Sequence, residues 1–233
     1  MTKWRLIFDL DDTLYPERQF AHSGFRAIGQ WAALRWQRAE LAQEMSEDME
    51  QLLRDGQLGT LFKTALDKHT PSHTADDLMA AQTIYRTHDP EISLYEDAHH
   101  AIAHFINQAP MGLITDGSTD MQSTKVRALG IEDRFQEIIF THEGGGRAYH
   151  KPHPWSFEKM ETAMGGPSNR FLYVGDNAKK DFVVPNARGW TSVQVRRPGS
   201  IHDQTAVTPG GAPRYVIRSL RELRALIDEL GKD

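Results

Sequence analysis

The sequence predicts an α/β fold, a parallel sheet covered by helices on both faces, with a block of helices inserted after the first strand. Three observations carry this reading. Short apolar runs recur along the chain: Leu6-Ile7-Phe8, Met111 to Thr115, Gln136 to Thr141, Phe171 to Val174, Thr191 to Val195 and Tyr215-Val216-Ile217. From about residue 96 these runs alternate with stretches of helical period, the rhythm of parallel strands joined by crossover helices. Between the first two runs, residues 16 to about 92 lose strand-like character and keep only helical spacing.

Within that insert, Phe25, Ile28, Trp31 and Ala32 mark one helix, and Leu41, Met45, Met49 and Leu52 a second. Leu58, Leu61, Phe62 and Ala65 mark a third, and Leu78, Ala81 and Tyr85 a fourth. Asp55-Gly56 and Thr70-Pro71-Ser72 supply breaks, and Thr74 followed by Asp77 is a start signal for the last of them. The Met and Trp residues here read as the core of a small bundle.

Beyond the insert, Ala98, Ala101, Ile102 and Phe105 place a helix before the second strand. The helix over Thr119 to Leu129 stops at Gly130, and Pro154 opens the next one, which carries Phe157 and Met160 and ends at Gly165-Gly166-Pro167. Residues 178 to 187 read as a helix, and Ser219 with Glu222 forms a capping box for the final one. Residues 196 to 214, rich in Pro and Gly, read as a surface loop or a poorly ordered one. The resulting division is a core of residues 1–15 and 93–233 with an insert of residues 16–92.

A chain of 233 residues is long enough for a substantial core with such an insert. The net charge of -5 gives no electrostatic case for nucleic acid or an anionic membrane surface. No cysteine occurs, which excludes disulfides and thiolate chemistry. No apolar stretch near the N-terminus precedes a cleavage site, and none approaches the roughly 18 residues of a membrane helix. The expectation is a cytoplasmic chain, mature as written.

Asp9, Asp11 and Asp12 crowd three carboxylates into four positions directly after an apolar strand. Like charges at low dielectric repel, and a bound metal is the simplest remedy. In extended backbone Asp9 and Asp11 point to one side and Leu10 to the other, which suits a nucleophile with an acid beside it. Three more features follow predicted strands: Thr115-Asp116, Lys151 in His150-Lys151-Pro152, and Gly175-Asp176 with Asp181. In a parallel sheet the carboxyl ends of the strands share one crevice, so these groups converge there with Asp9, Asp11 and Thr13.

The ordered set Asp9-Leu10-Asp11-Asp12-Thr13-Leu14, Thr115, Lys151 and Gly175-Asp176 with Asp181 resembles the four motifs of the haloacid dehalogenase superfamily of hydrolases. The helical insert resembles its helical cap. The resemblance implies a Rossmann-like core, a cap domain over residues 16–92 and magnesium-dependent phosphoryl transfer to a small phosphorylated metabolite. It implies Asp9 as nucleophile and Asp11 as acid and base, with Thr115 and Lys151 holding the transferring oxygens. The phosphate would lie against Asp9, Leu10, Asp11, Thr115, Asp116 and Lys151. Mg2+ would be held by Asp9, the Asp11 carbonyl, Asp176 and Asp181. Asp11 also separates the branches, because a halide leaving group needs no proton and an alcohol does.

Asp12 replaces the commoner glycine of that motif and is expected to cap backbone. Gly144-Gly145-Gly146 reads as a flexible turn, since no Gly-Lys-Ser/Thr follows it. His99, His100 and His104 read as a polar helix face, and Arg196, Arg197 and the arginines from Arg214 to Arg224 as solvated. Tyr15, Arg18 and Phe20 are candidates for substrate selection, with Trp31, Arg35 and Trp36 behind them. The similarity of Asp-Thr-Leu-Tyr plus a helical cap to pyrimidine nucleotidases makes a nucleoside monophosphate one expected substrate, with sugar phosphates open. Alternatives are a phosphomutase, a phospho-acceptor resembling a receiver domain, and an inactive binding module.

Overall fold

The computed structural model describes residues 4–57, 59–202 and 204–232. Six strands form one parallel sheet: β1 Arg5–Phe8, β2 Met111–Thr115, β3 Glu137–Phe140, β4 Phe171–Gly175, β5 Thr191–Val195 and β6 Tyr215–Ile217. Their order across the sheet is β3-β2-β1-β4-β5-β6. Strand β1 is central because its residues are apolar on both faces: Leu6, Ile7 and Phe8 are all fully buried. Leu6 pairs with Met111 on one side and with Leu172 on the other.

Helices α5 Glu96–Phe105, α6 Thr119–Ala128, α7 Trp155–Met164, α8 Val183–Ala187 and α9 Leu223–Leu230 belong to this sheet unit. Phe157 and Met160 of α7 join Ile7, Ile114, Ile139 and Tyr173 in its core. Each such side chain contributes about 1.5–3 kcal/mol by leaving water. Gly112 on β2 permits this packing, because a Cβ there would lie 2.6 Å from the Met160 sulfur.

Residues Arg18–Glu91 form a second compact unit. It contains α1 Glu17–Trp36 (from its second residue), α2 Leu41–Arg54, α3 Leu61–His69 and α4 Ala75–Thr87. Leu41, Met45 and Met49 are fully buried, and the fourth inward position on α2 is Leu53 rather than Leu52, continuing a step of four. The capping box is present: the Asp77 N–H donates to Thr74 Oγ1 at 3.3 Å and the Thr74 N–H to Asp77 Oδ2 at 2.9 Å. Leu58, assigned to the third helix by spacing, lies outside the described residues.

Two expectations change and two gain detail. The helix expected over 178 to 187 begins only at Val183, because the backbone from Asn177 to Asp181 closes a turn instead. The loop over 196–214 is tied down near its end, with Asn186 donating to the carbonyls of Gly210 and Ala212 at 2.8 Å each. In the triglycine, Gly144 ends one short 3-10 turn, Thr141–Gly144, Gly146 opens the next, Gly146–Tyr149, and Gly145 joins them. Arg197 is buried rather than solvated: it pairs with Asp97 at 2.6 Å, donates to the Thr13 carbonyl at 2.8 Å and lies over the Tyr95 ring. Among the described residues no helix is long and apolar enough to cross a membrane.

Candidate active site

Three adjacent strands deliver chemistry to one edge of the sheet. Asp9 follows β1, Thr115 ends β2 with Asp116 next, and Gly175 ends β4 with Asp176 next. Lys151 arrives from the segment between β3 and α7. Lys151 joins Asp9, Asp116 and Asp181, Gln122 joins Asp11 and Thr115, and Asp176 stands beside Asp9 and Asp181.

The turn after β1 is held by its own backbone, with the Leu14 N–H on the Leu10 carbonyl at 2.9 Å. Asp12 sits at a φ of 52°, a left-handed conformation that aspartate tolerates better than most residues. Its carboxylate caps backbone as expected, accepting from the Glu17 N–H at 2.9 Å. It also accepts from the Ser200 hydroxyl and the Ile201 N–H, both at 2.8 Å, tying the loop after β5 to this turn.

Asp181 folds back under β4, where its Oδ2 accepts from the Asn177 N–H at 2.8 Å. Gly175 makes room, since a Cβ would lie 2.9 Å from the Asp181 carboxyl carbon. The Lys151 ammonium, fully buried, stands 2.6 Å from Asp9 Oδ1 and 2.8 Å from Asp181 Oδ1, and donates to the Tyr173 hydroxyl at 2.9 Å. The Lys151 N–H and the Thr141 hydroxyl both donate to Asp116 Oδ1 at 2.9 Å, and Lys180 pairs with Asp116 Oδ2 at 2.8 Å.

The charges are unevenly matched. Burial pushes Asp9 up to about 7, with Lys151 opposing and Asp181 adding to the rise. Burial, then the charges of Asp181 and Asp9, also raise Asp176 well above the carboxylate range. Lys151 is the reverse case: burial works against its charge, but Asp181 and Asp9 outweigh it and hold the ammonium protonated. Asp116 stays ionised because Lys151 and Lys180 overcome its burial.

Asp11 occupies a different environment. Its Oδ1 accepts from the Tyr15 hydroxyl at 2.5 Å and Lys125 at 2.6 Å, and its Oδ2 from the Gln122 amide at 2.9 Å. Burial alone would raise Asp11, but Lys125 and these hydrogen bonds hold it below its ordinary value. The two acids therefore differ in environment: Asp9 among carboxylates, Asp11 among donors.

Among the described residues, the one group of three metal-ligating side chains close enough to share an ion is Asp9, Asp176 and Asp181. Their oxygens lie within 4.8 Å of one another and all three are buried. Three facing carboxylates with a surplus of negative charge fit a hard divalent cation with oxygen ligands.

Of the candidates for substrate selection, Tyr15 is fully buried with its hydroxyl on Asp11. Phe20 is buried in the helical unit against Tyr85 and His88, with ring centroids 5.3 and 4.7 Å away, and Arg18 is half-buried on α1. Sequence reasoning passed over Gln122, Lys125, Tyr173 and Lys180. The three-residue spacing of Gln122 and Lys125 places them on one face of α6, the only available signal, and polar helices commonly show that pattern on solvated faces.

Known proteins share this architecture. A glyceraldehyde 3-phosphate phosphatase of Methanopyrus kandleri is 28% identical, covering 98% of each chain. A ribulose-1,5-bisphosphate 5-phosphatase of Halopiger xanaduensis is 28% identical over 81% of this chain and 82% of its own. Among solved structures, the HAD-hydrolase YfnB of Bacillus subtilis, bound to magnesium, superimposes with a TM-score of 0.72 at 19% identity, covering 98% of this chain and 100% of that one. Residues 148–223 match a HAD-hydrolase-like family. Residues 5–182, which hold the whole acidic network, match the haloacid dehalogenase-like hydrolases, and the chain belongs to that family.

Proposed function

We propose that the protein is a phosphomonoesterase that moves phosphate from a small phosphorylated metabolite to Asp9 and then to water. One observation carries this reading: Asp9 is buried with one carboxylate oxygen on Lys151 and with Asp176 and Asp181 beside it. A lone acid in such a place would simply take up a proton, whereas a cation-flanked one keeps a nucleophilic oxygen.

In the first step an Asp9 oxygen bonds to phosphorus as the ester bond breaks. The leaving oxygen keeps the electron pair, takes the proton of the Asp11 carboxyl group and departs as the alcohol, leaving Asp11 as the carboxylate. In the second, water attacks the same phosphorus and passes its proton to Asp11. The bond to Asp9 then breaks, and the electron pair returns to Asp9. Thr115 and Lys151 hold the equatorial oxygens as charge spreads over them, with Leu10 and Asp116 lining the same place. Asp9, Asp176, Asp181 and the Asp11 carbonyl are the groups that would hold magnesium. When bound, the ion offsets the repulsion between a phosphate dianion and a carboxylate.

The relatives that span the chain support a phosphorylated sugar of a few carbons over a nucleoside monophosphate. The helical block of residues 16–92 is taken as the cap domain that selects it, with Tyr15, Arg18 and Phe20 near the start of that block, and the cytoplasm as its setting. A panel of sugar phosphates and nucleoside monophosphates, assayed for phosphate release with magnesium, tests the reading. Free phosphate should accumulate one for one with the alcohol, which separates hydrolysis from a mutase. Asp9→Asn should abolish turnover while keeping the fold, and turnover retained in that variant overturns the mechanism.

A further inference from the structure

Helix α6 leaves the sheet just after Thr115, and two of its side chains are buried against that edge: Gln122 is fully buried and Lys125 is 2% exposed. The Gln122 amide nitrogen reaches two acceptors, Asp11 Oδ2 at 2.9 Å and the Thr115 hydroxyl oxygen. While Asp11 is ionised its carboxylate only accepts, so in that state the amide nitrogen faces it. Each of the two amide hydrogens then has one acceptor.

This arrangement dictates the hydroxyl of Thr115. Because Thr115 Oγ1 accepts from Gln122, its own hydrogen points elsewhere, and among the described residues Oγ1 has no second partner. The hydroxyl is thus prepared to donate to a ligand oxygen. Lys125 and Tyr15 meanwhile both bond Asp11 Oδ1, at 2.6 and 2.5 Å, which leaves Oδ2, with the single Gln122 donor, as the oxygen with room for a proton. A buried ammonium is a poor device for stability alone, because an apolar side chain of similar volume does as well or better.

We propose that Gln122 and Lys125 are positioning residues of the hydrolytic reaction. Lys125 fixes Asp11 through Oδ1 so that Oδ2 handles the leaving-group proton, and Gln122 sets the Thr115 hydroxyl as a donor to the transferring phosphoryl group. The proposal rests on the assignment of Asp9 as nucleophile and Asp11 as acid given above.

The test compares two esters with full-length enzyme and magnesium: glycerol 1-phosphate, whose alkoxide leaves only when protonated, and 4-nitrophenyl phosphate, whose phenolate leaves unaided. For Lys125→Met, kcat/KM on glycerol 1-phosphate should fall about 100-fold and on 4-nitrophenyl phosphate only a few-fold. Lys125→Arg keeps the charge and should recover about 10-fold of the loss on the alkyl ester. Gln122→Ala should weaken inhibition by inorganic phosphate about 10-fold and also widen the gap between the esters. A purely structural role lowers both esters alike. Equal losses on the two esters, in an active wild-type background and with melting temperatures near the wild type, would overturn this inference alone. Wild-type enzyme inactive on both esters would overturn the assignment of Asp9 and Asp11, and this inference with it.

Discussion

The Lys151 ammonium lies 2.6 Å from the Asp9 carboxylate, and neither side chain has appreciable exposure. Lys151 also neutralises part of Asp181, so its removal strands two buried carboxylates. Lys151→Met should therefore cost about 3 kcal/mol of folding stability, the order expected when one partner of a buried pair is removed. Phosphate release should fall by at least about 1,000-fold. Chemical denaturation and a phosphate assay on the same preparation check both outcomes.

The facing oxygens of Asp9, Asp176 and Asp181 make a second expectation measurable without turnover. A cation that binds the folded chain alone raises its melting temperature. Magnesium should raise the melting temperature of the chelator-treated protein, and Asp176→Asn should remove most of the rise. An equal rise in that variant would place the ion elsewhere.

Gly175→Ala introduces a Cβ 2.9 Å from the Asp181 carboxyl carbon, with backbone holding both sides of the turn. The turn has to shift, taking Asp176 and Asp181 with it. Turnover should fall about 100-fold while stability changes by about 1–3 kcal/mol, the usual cost of overpacking. Turnover equal to wild type would show that the turn adjusts freely.

Away from the site, Asp97 accepts from Arg197 at 2.6 Å and from the Ser219 hydroxyl and Leu220 N–H at 2.8 Å each. Burial favours its protonated form, but these hydrogen bonds and the Arg197 charge outweigh that and lower its pKa. Folded Asp97 thus binds its proton less tightly than the unfolded chain does. The stabilisation is complete above the unfolded value of about 3.9 and is lost as pH falls through it toward the lower folded value. Asp97→Asn should melt well below wild type near neutrality, and the gap should narrow at about pH 3. Melting curves across that range decide it.

The legible parts of this protein are those whose residue type carries its own meaning. Asp9 and Asp11 after an apolar strand announce costly chemistry wherever the chain places them, and so do Asp176 and Asp181 after β4. Gln122 and Lys125 announce nothing, because a polar helix face is ordinary and their burial depends on how α6 settles on the sheet. Tyr173 lies inside an apolar strand, where only the approach of Lys151 gives its hydroxyl a purpose. The helix expected from residue 178 yields to the Asn177–Asp181 hydrogen bond, and the loop after β5 is tied at Ser200 by Asp12, far away in the chain, and at Gly210 by Asn186. These are tertiary effects, and local pattern does not contain them.

The central position of β1 also has a kinetic meaning. The strand that leads into Asp9 precedes the other five in the chain, yet Leu6 must wait for Met111 before one of its edges is paired and for Leu172 before the other is. Through roughly the first half of synthesis an apolar strand therefore has no partner in the sheet, and pairing both its edges requires closure of two long loops. Slow folding and self-association of incomplete chains are the expected cost. Truncations ending before β4 should be recovered largely as aggregate, with Asp9 present in the sequence and one edge of its strand unpaired.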